Sequence, residues 1–162
     1  MQRAFLQLHI AVLLAGITGI LGKLITLNEG LLVWWRLLIS SVTMWILFSL
    51  TGKLQKISRK EVWQIFGVGT IAAMHWVCFF GSIKYSNVSV GLVCFSAVGF
   101  FTALIEPLVT KKKMVWVELF LGLLVILGIY IIFRFDTRFK TGIILGLTSA
   151  LLGALFPIYN RQ

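Results

Sequence analysis

Residues 62–110 read VWQIFGVGTIAAMHWVCFFGSIKYSNVSVGLVCFSAVGFFTALIEPLVT. This stretch holds two apolar runs, 62–83 and 90–109, which are joined by the polar link 84–89. Each run is long enough to cross a bilayer core of roughly 30 Å at about 1.5 Å per helical residue. The pattern therefore predicts a transmembrane helical hairpin.

Lysines flank this hairpin on both sides. Lys53, Lys56 and Lys60 precede it, and residues 111–113 are all lysine. Loops rich in Lys and Arg stay on the cytoplasmic side of a membrane. We therefore expect both ends of the hairpin, and the N-terminus of the chain, in the cytoplasm, with the link 84–89 outside.

The composition indicates an integral membrane protein with no room for a large soluble core. Hydrophobic residues make up 59% of the chain and charged residues only 12%, whereas soluble domains carry about 25% charged residues. We predict an all-α fold, a polytopic bundle of six transmembrane helices. The predicted spans are 5–25, 31–50, 62–83, 90–109, 115–133 and 141–158.

The net charge of +10 is distributed asymmetrically. Nine of the fifteen Lys and Arg residues fall in segments predicted to lie inside and four in links predicted to lie outside. This asymmetry indicates a basic surface next to anionic lipid of the inner (plasma) membrane. Nucleic-acid binding would need a solvated basic domain, which the sequence does not contain.

Ionisable groups inside the spans are costly in lipid, so they are the first candidates for function. Lys23 and Arg36 lie at similar depth near the outer ends of two antiparallel spans. They could reach to the outer headgroups, with Glu29 as a partner. Alternatively, they line a polar cavity that holds an anionic or zwitterionic group.

Two further pairs of residues leave alternatives open. His75 in mid-span is either hydrogen-bonded across helices or, together with Trp76, contacts a substrate or a coupled proton. Glu106 either forms a salt bridge with the lysines at 111–113 or belongs to a gate. Pro107 supports the gate because it removes an amide donor from the last helical turn.

Small residues recur every four positions in the first and sixth spans, and such faces let helices approach closely in lipid. They predict two helix-packing faces. The first consists of Ala11, Ala15 and Gly19, and the second of Gly142, Gly146, Ala150 and Ala154.

The sequence contains no motif typical of an enzyme. It has no His, Cys, Asp and Glu cluster at metal-ligand spacing, no nucleophile elbow, no phosphate loop and no paired carboxylates within a span. We therefore expect no catalytic residue, no metal and no cofactor.

Two stretches, 81–91 (GSIKYSNVSVG) and 119–128 (LFLGLLVILG), carry a resemblance to a known family. They are similar to the turn between spans three and four and to the span-five run of the EamA family, which belongs to the drug/metabolite transporter superfamily. Three further stretches match shorter motifs of the family. Phe101-Thr102-Ala103 matches FTAL in span four, and Trp35-Arg36-Leu37 matches xRF in span two. Residues 15–23 match WGxxFxxxK in span one, with Ala15 in place of Trp. The chain departs from the family at Gly99, where Pro is common, and at 111–113, where three lysines replace GER.

This resemblance implies ten helices in two inverted five-helix repeats around a midplane site. Residues 1–134 would then be one repeat, and 141–158 would be the first helix of an incomplete second repeat. The alignment of 153–161 with 15–23 supports this division and matches Arg161 with Lys23. We therefore expect a truncated product or fragment that cannot transport alone and whose sixth span lacks packing partners.

The leading hypothesis is a membrane transporter that moves a small metabolite or amphipathic compound across the inner membrane. The alternative is a non-transporting membrane protein that associates through its small-residue faces. The expected partners are the lipid bilayer, a small-molecule substrate of unknown identity, and either a second copy of the chain or the missing repeat.

Overall fold

A computed structural model describes residues 2–54, 57–133 and 137–160. These residues form helices and no strand, which confirms the all-α prediction. The helices are α1 (Gln2–Leu24), α2 (Glu29–Leu50), α3 (Arg59–Tyr85), α4 (Val88–Phe95), α5 (Val98–Thr110), α6 (Trp116–Phe133) and α7 (Lys140–Asn160), with a short 3₁₀ turn at Thr137–Phe139. Arg161, which was expected to match Lys23, lies outside the described residues.

Six helical segments of the described chain are long and apolar enough to cross a membrane. They overlap the six predicted spans, and α4 and α5 together form the fourth. Several helices begin before the apolar run because polar side chains cap them. Ser58 and Glu61 form a reciprocal capping box at the start of α3, with the Ser58 N–H donating to Glu61 Oε2 at 2.6 Å.

The polar link of the central hairpin is shorter than predicted. The expected link covered 84–89, but α3 continues to Tyr85 and α4 begins at Val88. Asn87 makes the tight reversal possible because its side chain accepts a hydrogen bond from the Val90 N–H at 2.9 Å and so caps α4.

The fourth span is interrupted, whereas a continuous helix was predicted over 90–109. Ser96 and Ala97 separate α4 from α5 while keeping right-handed helical dihedral angles. The Ala97 N–H donates to the Cys94 carbonyl at 3.1 Å, a bond of the tighter 3₁₀ type. The Ser96 hydroxyl donates to the Val93 carbonyl at 2.6 Å. The hydrogen-bond pattern therefore changes within the span without a proline.

The sixth span lies at the centre of the bundle, which corrects the expectation that it lacks partners. Helix α7 packs against α3, α4 and α5, and 33% of its most apolar segment is buried, compared with 6% for α1. Its small-residue face, Gly142, Gly146, Ala150 and Ala154, is buried along its whole length.

Close backbone approach explains this packing. A Cβ atom at Gly146 would lie 2.6 Å from the Cβ of Cys94 and 2.9 Å from the Oγ of Ser82. Two polar contacts join the same helices. Ser82 donates to the Gly142 carbonyl at 2.6 Å, and His75 Nδ1 lies 2.8 Å from the Ser149 carbonyl. Association in lipid relies on such contacts because apolar burial gives no comparable driving force there.

The small-residue face of α1 is only partly used within the chain. Gly19 is buried, and a Cβ there would contact Val88, Ile83 and Leu92 at ordinary distances. Ala11 and Ala15 are exposed. Their part in helix packing stays a prediction, and any helix against them would come from outside the described chain.

We predict that Gly146→Val destabilises the protein strongly, because the added side chain overlaps Cys94 and Ser82 at a rigid helix contact. Overpacking of this kind costs about 1–3 kcal/mol or more. Gly128→Val on α6 is the matched control, since a Cβ there has no neighbour within 4 Å. Thermal unfolding in detergent measures both. Equal melting temperatures for the two variants would contradict the central position of α7.

Candidate functional site

The guanidinium of Arg36 crosses from α2 to an aromatic surface on α3. Its Cζ lies 3.8 Å from the centre of the Trp76 ring and 5.9 Å from that of Phe80. Trp76 and Phe80 are one helical turn apart, and their rings stack at 25° with centroids 5.8 Å apart. The cation is therefore held by a cation–π contact, which strengthens where water is excluded.

A cavity of 370 Å³ lies beside Arg36, between α1, α2 and the face of α3 that carries Phe80. Its walls are mainly aliphatic and aromatic, and Arg36 is the one charged side chain among the described residues that line it. The lining residues are Thr18, Leu21, Gly22, Ile25, Leu27, Leu32, Trp35, Arg36, Ile39 and Phe80.

One nitrogen of Arg36 is buried without a hydrogen-bond partner. Nη1 is inaccessible to solvent and has no hydrogen-bond acceptor within the described part of the chain. Nor does any ion pair join Arg36 to Glu29 there. A buried donor without an acceptor is destabilising, and the penalty is larger for a charged group. Arg36 therefore retains unused capacity to bind an acceptor.

Lys23 does not line this cavity with Arg36, so the structure does not bring the predicted pair of cations together. Its Nζ donates instead to the carbonyls of Ile83 at 3.1 Å and Ser86 at 3.4 Å, at the end of α3. Lys84 makes the reciprocal contact, donating to the carbonyls of Ile25, at 3.0 Å, and Leu27 after the end of α1.

We call Lys23 and Lys84 the crossed lysine pair. Carbonyls at a helix C-terminus lack partners within the helix and favour a positive charge. Each lysine therefore stabilises the end of the other's helix, and the two tie the α1–α2 link to the α3–α4 link. No ion pair connects Glu29 with Lys23 across residues 2–54 and 57–133.

His75 faces α7, on a different side of α3 from the cavity. Its side chain is buried, and Nδ1 lies 2.8 Å from the carbonyl and 3.0 Å from the hydroxyl of Ser149. A hydrogen bond to the carbonyl, which can only accept, requires the tautomer with the hydrogen on Nδ1. Rings of Trp76 and Phe95 approach the imidazole at 5.1 and 5.2 Å. This contact corresponds to the first of the two alternatives for His75, a hydrogen bond across helices. A role of His75 in substrate or proton binding stays a prediction.

Glu106 and Pro107 lie near the end of α5, far along the bundle from the crossed lysine pair. Glu106 Oε1 is 3.2 Å from Lys112 Nζ, as the salt-bridge interpretation predicted. Pro107 is within the last turn of α5, which ends where Lys111 adopts a left-handed φ of 55°. The gating role of these two residues stays a prediction.

Sequence reasoning missed three residues that make these contacts: Ser82, Lys84 and Ser149. Ser82 and Ser149 are fully buried hydroxyls within apolar helices. A polar side chain in such a run usually forms a hydrogen bond across helices, so this signal was available. Lys84 was counted only as a charge in the outer link, because a sequence does not show which carbonyls a lysine reaches.

Potential metal ligands do not cluster in the part of the chain that the structure describes, where no group of three His, Cys, Asp or Glu side chains could hold an ion.

Comparison with known proteins gives one match. The family model described as EamA-like transporter family matches residues 2–134, which include α1 to α6. No curated protein and no solved structure matches the chain.

We predict that Lys23→Gln and Lys84→Gln each lower the melting temperature by about 1–4 °C, because each removes a charge from a helix C-terminus. The double variant should lose less than the sum, since both lysines join the same two links. Thermal unfolding in detergent gives the melting temperatures of the unsubstituted protein, the two single variants and the double variant. Lys113→Gln, at an exposed position, is the matched control. Strictly additive losses would show that the two contacts act independently.

Proposed function

Because the chain belongs to the EamA-like transporter family, we propose that it moves a small metabolite or amphipathic compound across the inner membrane. Transport rather than catalysis is then its activity. The observation that carries this proposal is the cavity beside Arg36, where a cation with unused hydrogen-bonding capacity faces an apolar space between helices.

The location of the cavity supports a binding site for cargo. Small-molecule sites occupy roughly 300–1,000 Å³, are mostly apolar with a few polar groups, and often lie between the helices of a bundle. The cavity of 370 Å³ fits this description. An intramembrane arginine is costly to keep, and such residues usually face a substrate pathway or a bundle interior.

The distribution of charge supports a cytoplasmic N-terminus, with the α1–α2 link outside. Arg36 lies seven residues after the first residue of α2, which places it about 10 Å along the helix. The cavity would then lie in the outer half of the membrane. Alternating access would require this half to close and the opposite end of the bundle to open, as inverted-repeat carriers do.

The alternative function, association through small-residue faces, now depends on one helix. The face on α7 is occupied within the chain by α3 and α4, so it is not available to a partner. Ala11 and Ala15 on α1 are exposed and could meet a helix of another chain. This observation keeps the alternative open, with α1 as its interface.

Counterflow in proteoliposomes tests transport. The purified chain is reconstituted at a high protein-to-lipid ratio, so that a second copy can complete the carrier if one is needed. A panel of labelled anionic, zwitterionic, neutral and cationic amphipathic compounds is then supplied. We expect saturable counterflow of at least one compound, absent from protein-free liposomes. No flux with any compound would count against the proposal.

Matched threonine variants connect the flux with the cavity. Thr18→Phe adds bulk to the cavity wall, and Thr43→Phe adds the same bulk to an exposed position on α2. Both hydroxyls bond to the carbonyl four residues earlier, so the lost local contact is the same. Overpacking of about 1–3 kcal/mol should weaken cargo binding roughly 5- to 150-fold for Thr18→Phe only. Equal flux in the two variants would show that the cargo does not use this cavity.

A further inference from the structure

The unused hydrogen-bonding edge of Arg36 determines what the cavity can bind. The guanidinium carbon of Arg36 lies over the Trp76 ring, 3.8 Å from its centre, and the five N–H donors of a guanidinium point outward in the plane of that group. Nη1 is buried and has no acceptor among the described residues. Nη1 itself is not reached from the cavity without a shift of the side chain, so a ligand would pair with the part of the guanidinium that lines the cavity. A hydrogen bond to this charged group is strongest when the acceptor is itself an anion, which gives anionic ligands an advantage over neutral ones.

We propose that the cavity binds an amphipathic molecule with a single negative charge, whose anionic group pairs with Arg36. This inference rests on the proposed function in one respect, since the bound molecule would be the cargo. A carboxylate suits the site because the guanidinium fork matches its two oxygens.

The charge of the cavity limits the anionic group. Arg36 is the one charged side chain in the described lining, so it balances one negative charge. A phosphate monoester carries about −1.5 to −2 at neutral pH. Binding it would leave an unbalanced charge in an apolar cavity, which is strongly unfavourable.

The walls of the cavity limit the rest of the molecule. Leu21, Ile25, Leu32 and Ile39 offer only hydrocarbon. The Thr18 hydroxyl donates its hydrogen to the Leu14 carbonyl at 2.9 Å, so it can only accept a bond from a ligand. A body rich in hydroxyl groups, such as a sugar, would lose hydrogen bonds to water that these walls do not replace. An aromatic or aliphatic body makes no such hydrogen bonds to water and therefore loses none on binding.

A binding assay with a matched series of probes tests the proposal. The protein is placed in phosphatidylcholine nanodiscs at pH 7, and labelled 3-phenylpropionate is compared with 3-phenylpropionamide and 3-phenylpropylamine, which share its body. We expect the carboxylate to bind at least about tenfold more tightly than the amide, because the anion offers two charged oxygens to the guanidinium fork, whereas the amide offers a single neutral carbonyl. The amine should bind most weakly.

Substitutions at one position connect this preference with Arg36. Arg36→Gln should abolish the preference for the carboxylate, and Arg36→Lys should retain part of it, since a lysine keeps the charge but not the fork. Arg59→Gln removes an exposed arginine at the start of α3 and should leave binding unchanged. Absence of an Arg36-dependent preference for the carboxylate would overturn the proposal.

The same negative charge could belong to a free carboxylate or to the headgroup of an anionic lipid. Nanodiscs that contain phosphatidylglycerol distinguish the two sources. If the lipid is the occupant, Arg36-dependent binding of 3-phenylpropionate falls in these discs. If a free anion is the occupant, binding is the same in both kinds of disc. Either result supports an anion site.

Failure of this inference and failure of the proposed function give different results. Arg36-dependent binding of the carboxylate without flux of any compound would count against transport and leave the anion site standing. Flux that is confined to neutral or cationic compounds and is unaffected by Arg36→Gln would support transport and overturn the anion site.

Discussion

The contact between α3 and α7 is the constraint on which the rest of the structure depends. In lipid, helices associate through close packing and hydrogen bonds, because the surrounding tails are as apolar as the side chains. Helix α7 meets this requirement with a buried face of glycine and alanine. Ser82 and His75 on α3 then reach the carbonyls of Gly142 and Ser149 at 2.6 and 2.8 Å. These contacts fix the rotation of α3 about its axis.

The rotation of α3 determines which of its side chains face α2 and the cavity. With His75 turned towards α7, the next residue, Trp76, faces α2, and the guanidinium of Arg36 lies over its ring. One turn later, Phe80 forms a wall of the cavity. At the end of the helix, the Ile83 and Ser86 carbonyls receive the Lys23 ammonium. One helix thus connects the centre of the bundle with the cavity and with the crossed lysine pair.

Hydropathy and spacing were sufficient to predict the spans and the small-residue face of α7, because both are properties of local sequence. Contacts between distant residues were not predictable in the same way. Lys23 and Arg36 look alike in sequence, as cations near the same end of two spans. One reaches carbonyls and the other an aromatic surface, and only the packing of α1 and α2 against α3 distinguishes them. The change at Ser96 and Ala97 was missed because neither glycine nor proline marks it.

Photocrosslinking between α7 and α3 tests the central position of α7 most directly. Leu145 on α7 is close to α3, since a Cβ at Gly81 would lie 3.1 Å from its Cδ1. A benzophenone amino acid replaces Leu145, or the exposed Leu123 on α6 as a control, in a chain with a protease site at 111–115. After irradiation in native membranes and cleavage, the account predicts that the two fragments of one chain stay joined for position 145 and separate for 123. Separate fragments, or crosslinked dimers, at position 145 would contradict it.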